Sequence, residues 1–274
     1  MALALWLAGA AGCASGPSEE DIQRSEAEYQ LAVGLLGESN VAGAYEHLAD
    51  AIRLDPDNAE AHLLFGNLQL FRANYAAAEA SFREAIAANE RLRTSGIPAL
   101  RSDALNSLGV LYIHQGRLDD AVEVLAESAA DPLNHTPHLA WGNLGWARYE
   151  RHEYAEALVA LDQALRAQPG FCVGWYRLGQ VYFAMGEAGT GASEDDDAEA
   201  SFAHADEAAT HAIEVESEEC RQMQDAWLLR GRTRTRLGRD EDAVSDFERC
   251  VELDPSTDSG RACAAMLDDV GDEG

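Results

Sequence analysis

No lysine occurs among the 274 residues: the 20 basic side chains are all arginine, set against 49 aspartates and glutamates. That excludes a Walker-type phosphate lysine and any lysine Schiff base. The net charge of −29 opposes nucleic acid and anionic lipid surfaces, which would repel the chain within a Debye length. Aromatics are few, at 7%. No apolar run approaches the ~20 residues that a membrane-spanning helix needs. HExxH, GxSxG and a Gly-rich loop opening a helix after a strand are all missing, so the sequence offers no seat for metal-assisted or acyl-transfer catalysis. There is no CxxC pair either, which disfavours a zinc site. What is present is 47% hydrophobic residues, ample for a buried core, and abundant alanine, which favours helices.

The N-terminus differs from the rest. Ala2 to Ala11 is apolar, and Gly12-Cys13 is followed by Ala14-Ser15-Gly16-Pro17 and an acidic run. This resembles a bacterial lipoprotein signal, with residues 1–12 as the signal segment and Cys13 as the acylated first residue of a linker over 13–23. Export would put the other four cysteines, Cys172, Cys220, Cys250 and Cys263, in a compartment that permits disulfides.

A spacing recurs along the chain. Gly145, Ala157, Ala164 and Pro169 stand 12, 7 and 5 residues apart, and Ala32, Ala44, Ala51 and Pro56 repeat it in full. Gly66, Ala78 and Ala85 follow, then Gly109, Ala121 and Ser128; Gly231, Ala243, Cys250 and Pro255 close the series. Gly179 opens a further unit whose second helix is displaced to Ala205, Ala209 and Ala212. Ala32 to Gly66 and Gly145 to Gly179 are both 34 residues, the period of tetratricopeptide repeats. Small residues let two antiparallel helices approach while Leu48, Phe82, Leu125, Leu161 and Phe247 plug the gap toward the next unit. A terminal proline stops the second helix. One hairpin cannot bury its apolar face alone, so stacking must supply the core. The expected fold is all-α: a right-handed superhelical solenoid of about six such repeats over 24–257, closed by a capping helix and acidic tail over 258–274.

Insertions interrupt the period near 91–101, 129–138 and 186–200. The last, "GEAGTGASEDDDAEA" from Gly186 to Ala200, lacks apolar residues to pack and reads as a loop. Cys172 and Cys220 fall at the starts of neighbouring units; Cys250 takes a small-residue slot and Cys263 the helix expected to pack on it. This predicts the pairs Cys172–Cys220 and Cys250–Cys263, worth roughly 4 and about 3 kcal/mol on a loop-entropy basis. The alternative is four reduced thiols packed as small hydrophobes.

His135 and His138 read as surface-loop residues, with no third ligand evident for a metal, and His62 as a packing residue in a core-facing slot. No cofactor or small-molecule substrate is expected, and the chain reads as a non-enzymatic protein-binding scaffold. First helices line the inner wall of such a solenoid, and their inward places hold Tyr29, Val33, Leu36, Leu63, Leu70, Asn106, Val110, Ile113, Trp146, Tyr149, Tyr176 and Phe183. That set suits an apolar or amphipathic peptide. In the last unit it changes to Arg232, amid five arginines between Arg230 and Arg239. These either clamp a carboxylate-rich partner or pair with local acids.

The lipoprotein-like start, the six units, the loop "DPLNHTPHLAWGNLGWA" and the segment "AQPGFCVGWYRLGQVYF" together resemble the type IV pilus pilotins, the PilW/PilF/Tgl group. The likeness is closest to the Tgl-type members, in which Cys also follows Pro-Gly-Phe. The resemblance implies an outer-membrane lipoprotein on the periplasmic face, anchored through Cys13, that assists the pilus secretin to assemble. Its partner would be a secretin monomer. The rival reading is a generic periplasmic scaffold of another envelope complex, such as cell-wall synthesis or polysaccharide export.

Overall fold

The computed structural model describes residues 16–92, 96–189 and 198–272. Cys13 and most of the acidic insertion lie outside the described residues. Among those described there are fourteen α-helices and no strand, and no helix is long and apolar enough to cross a membrane. The chain divides into two compact units, Met1–Leu100 and Arg101–Gly274.

In the first unit α1 (Glu19–Gly37) pairs with α2 (Val41–Leu54), and α3 (Ala59–Phe71) pairs with α4 (Tyr75–Leu92), while α2 stacks on α3. Local chemistry starts α1, α2 and α3. Ser18 and Asp21 form a capping box on α1; the Asn40 and Asn58 side chains accept the Gly43 and Ala61 N–H groups at 3.0 and 2.9 Å, satisfying donors that have no intrahelical acceptor. The core is Ala32, Ala44, Leu48, Ala51, Ala61 and Leu68, so the small-residue slots are filled as their spacing requires.

The second unit continues the pattern with α5 (Leu100–His114), α6 (Leu118–Ala130), α7 (Pro137–Glu150) and α8 (Tyr154–Ala167). The plug residues, expected to face the next unit, lie against the small residue of their own hairpin, 16 positions before them: Gly66–Phe82, Gly109–Leu125, Gly145–Leu161 and Gly231–Phe247. A Cβ on Gly66 would stand 2.6 Å from the Phe82 ring, and one on Gly145 would stand 2.6 Å from Leu161. Alanine does not fit there.

The fifth hairpin departs from the sequence reading. α9 (Cys172–Ala188) and α10 (Ala198–Glu214) have 17 residues each, against 14 in each of α7 and α8. Gly186, expected at the head of the acidic loop, is a helical residue whose Cβ would stand 2.7 Å from Phe202. The 16-residue glycine–plug spacing from Gly186 to Phe202 is the same as elsewhere, moved seven residues along. The pairing therefore continues two turns further before the chain leaves the helix. Residues 198–200, likewise placed in the loop, open α10.

Beyond it come α11 (Glu218–Arg221), α12 (Gln224–Arg236), α13 (Asp240–Leu253) and α14 (Asp258–Asp272), with α14 packed on both α12 and α13. Cys172 is bonded to Cys220 and Cys250 to Cys263. The first bridge ties the start of α9 to α11; the second fastens α14 to α13 at a site where both cysteines are fully buried.

Candidate protein-binding cleft

Three first helices of the second unit, α7, α9 and α12, stand in sequence, α9 touching each of the others. Between them lies a cleft of about 520 Å³. α9 contributes Tyr176, Gln180, Phe183 and Glu187, spaced along one face; α12 contributes Asp225, Leu228, Leu229 and Arg232, at i, i+3, i+4 and i+7; Tyr149 and Tyr154 close the α7 side. Such spacing puts each set on a single stripe.

The walls are aromatic. Trp146 stacks on Tyr149 with centroids 4.8 Å apart, and Tyr149 meets Tyr154 at 6.1 Å. Burial pushes the Tyr176 phenol up to about 12, reinforced by Asp225 and Tyr149 and opposed by Arg177 and Arg232. Burial likewise raises Tyr149, with Glu150 and Tyr154 adding and Arg232 opposing. Both phenols are therefore neutral donors at physiological pH. Phe183 differs from its expected role as a free inward side chain: it is buried and meets Phe202 edge-on at 5.5 Å, within a core cluster that includes Leu229. Only its face toward α12 remains for the cleft, and there the Arg232 guanidinium lies 4.7 Å from the ring centroid.

The arginine run of α12 splits by face. Residues two apart on a helix point in nearly opposite directions, whereas residues four apart share a side. Arg230 and Arg234 turn to α13, where both hold the buried Asp246, at 2.6 and 2.8 Å. Arg236 turns to α9 and holds Glu187 at 2.9 Å; Arg239 holds Asp206 and Asp242. Local acids thus take four of the five, and Arg232 faces the cleft.

A polar ladder crosses the first helices beside it. Asn143 Nδ2 donates to Asn106 Oδ1 at 3.0 Å, and Arg177 Nη1 donates to Asn143 Oδ1 at 2.9 Å. Arg177 also lies 5.7 Å from the Trp146 centroid, and burial pulls its guanidinium down to about 10. Of the sequence candidates, Tyr149, Tyr176, Phe183 and Arg232 line the cleft, Trp146 backs it, and Asn106 joins through the ladder. Val110 and Ile113 are half-buried on α5. Tyr29, Val33, Leu36, Leu63 and Leu70 are on α1 and α3 of the other unit, where Tyr29 and Leu36 pack on its core and Val33 is exposed. His138 makes an edge contact with Phe171 at 5.2 Å. The sequence reading missed Tyr154, Gln180, Glu187, Asp225, Leu228 and Leu229 in the lining, and Asn143 and Arg177 beside it. Tyr154 was legible: it sits nine places beyond Gly145, the place held by Val41, Tyr75 and Leu118 in other units.

These hairpins define the class, a tetratricopeptide-like solenoid; the Tetratricopeptide repeat family matches residues 63–135 and 224–257. More particularly, the chain is 27% identical over 165 residues to the type IV pilus assembly protein PilF of Pseudomonas aeruginosa. That stretch covers 58% of this chain and 62% of the relative, so it spans less than two thirds of the relative's length. A structure of Pseudomonas aeruginosa PilF superposes with a TM-score of 0.68 at 18% identity, over 90% of this chain and all of that one (100%). The crystal structure of PilW, described as a widely conserved type IV pilus biogenesis factor, gives 0.66 at 22% identity, over 88% and 98%. The two superpositions speak to fold. In sequence, the chain carries matches to tetratricopeptide repeats and is similar to PilF.

Proposed function

We propose that the chain is a non-enzymatic scaffold of type IV pilus biogenesis: a pilotin of the Tgl type, lipid-anchored through Cys13 on the periplasmic face of the outer membrane. Its cleft engages an apolar segment of a secretin monomer and shields it until neighbouring subunits replace the contact. The binding role is carried by one observation, the aromatic cleft of about 520 Å³ among α7, α9 and α12, a size and chemistry suited to apolar side chains of a peptide. The pilus role rests on the sequence relation to PilF. Burial of acyl chains at ~0.8 kcal/mol per methylene makes a multiply acylated anchor long-lived. The test is the double variant Trp146→Ala/Tyr149→Ala, expressed in place of the native chain. Secretin multimers on a denaturing gel should fall while the protein's helical signal and level persist. Unchanged multimers would overturn the reading.

A further inference from the structure

The charge pattern of the cleft bears on the sequence of the segment that fills it, an inference that rests on the binding role above. In a chain of 49 acids and 20 arginines, carboxylates for arginine are plentiful, and Arg230, Arg234 and Arg236 on α12 each hold one. Arg232, in their midst, has none within 4.0 Å among the described residues; it is exposed and rests on the Phe183 ring. Among the described residues Arg177 has the neutral partners Asn143 and Trp146. Arg232 lines the cleft together with Tyr176, and Arg177, the next residue after Tyr176, stands beside it against Asn143 and Trp146. Asp225 lies seven residues before Arg232 on the same α12 stripe and acts on Tyr176, two turns or ~10.5 Å away along the axis. The cleft therefore carries the carboxylate of Asp225 at one end and the Arg232 guanidinium toward the other, where Glu187 is already neutralised by Arg236, with the aromatic wall between. A guanidinium beside an aromatic surface with no carboxylate among the described residues is poised for a charge-assisted, bidentate contact from outside.

We propose that the cleft recognises a segment of the partner protein in which an aspartate or glutamate flanks an apolar anchor residue, the acidic side chain pairing with Arg232 and the anchor entering between Tyr149, Tyr154 and Tyr176. Arg232 is then the residue that sets sequence preference, by rejecting segments without the acid.

A random peptide display library, selected on the full chain and in parallel on Arg232→Glu, tests this. The native protein should enrich peptides with an acidic residue at a fixed distance from an aromatic or aliphatic one. Arg232→Glu should enrich arginine or lysine at that place. For one enriched peptide, labelled and titrated by fluorescence anisotropy, replacing its acid by the amide should weaken binding about tenfold or more with the native protein, and leave it nearly unchanged with Arg232→Gln. Peptides that bind through the cleft, losing affinity with Tyr149→Ala, but carry no acidic preference would overturn this inference and leave the docking reading intact. Peptides indifferent to Tyr149→Ala would overturn the docking reading itself.

Discussion

Seven residues beyond the small residue of five units, the backbone turns left-handed: at Ser39, Ala73, Gly116, His152 and Gly238, with φ of 61°, 55°, 70°, 62° and 67°. Two of these positions already hold glycine, which adopts that conformation without the penalty a Cβ incurs, roughly 1–2 kcal/mol. Ala73→Gly should therefore stabilise the fold by about 0.5–1 kcal/mol, part of the gain being offset by greater freedom in the unfolded chain, and Gly116→Ala should destabilise it by about 1 kcal/mol. Urea unfolding of both variants checks the pair; effects of the same sign would refute the account. A second slot does a shared task. His62, Trp175 and Trp227, each four places before the small residue, donate a ring N–H to the carbonyl six residues earlier, on Pro56, Pro169 and Arg221, at 3.0, 2.9 and 3.0 Å. His62 alone titrates, and burial holds its pKa below the ordinary value, with the Pro56 carbonyl opposing. A histidine lowered on folding contributes stability that is complete above its unfolded pKa of about 6.5 and is lost as pH falls toward the folded value. His62→Gln keeps a donor and removes the titration. Its unfolding free energy should drop less than the native protein's between about pH 7.5 and pH 5; parallel drops would exclude His62 as the source.

At the scale of the helix, α12 is held to α13 through a buried charge. Asp246 is 1% exposed and receives both Arg230 and Arg234. Breaking such a buried pair leaves an uncompensated cation and costs about 3–5 kcal/mol, so Asp246→Asn should lower the unfolding free energy by that amount, seen as a lower denaturant midpoint at unchanged slope. Loss under 1 kcal/mol would mean that water reaches the site. The sequence reading had left the arginine run open between an external clamp and local pairing. Composition cannot choose, because the choice is made face by face: residues 200° apart around the helix meet α13 on one side and α9 on the other. Hairpin registry was legible, because the 16-residue interval from glycine to plug is a steric requirement written at fixed spacing. The fifth hairpin was not. Gly186 lies in a run whose composition resembles a loop, and only its match to Phe202 marks it as helical. The cleft was half legible: inward aromatics follow from the repeat, but the burial of Phe183 and the Asn106–Asn143–Arg177 ladder depend on side-chain reach across helices that spacing alone does not give.

Charge acts on the whole molecule. With 49 acids and 20 arginines, and the arginines largely held in local pairs such as Arg91 with Asp57 and Glu84 or Arg101 with Glu127, the unbalanced negative charge is distributed over exposed helix faces. It repels itself across distances longer than any single pair. Raising sodium chloride from about 0.01 to about 0.15 M shortens the Debye length from ~30 to ~8 Å, which removes most of that long-range repulsion. The opposing loss is small, because exposed ion pairs are worth at most about 1 kcal/mol each and often nothing, while the Asp246 network is buried and little screened. Net stabilisation should follow, with each kcal/mol raising the melting temperature by roughly 2–4 °C in a chain of this size. Chloride rather than sulfate is the right anion, since sulfate strengthens apolar burial by its exclusion from the surface and would raise the melting point for a different reason. A melting temperature that falls over this range would show that surface pairs, and not the excess of carboxylates, dominate the electrostatics of the folded chain.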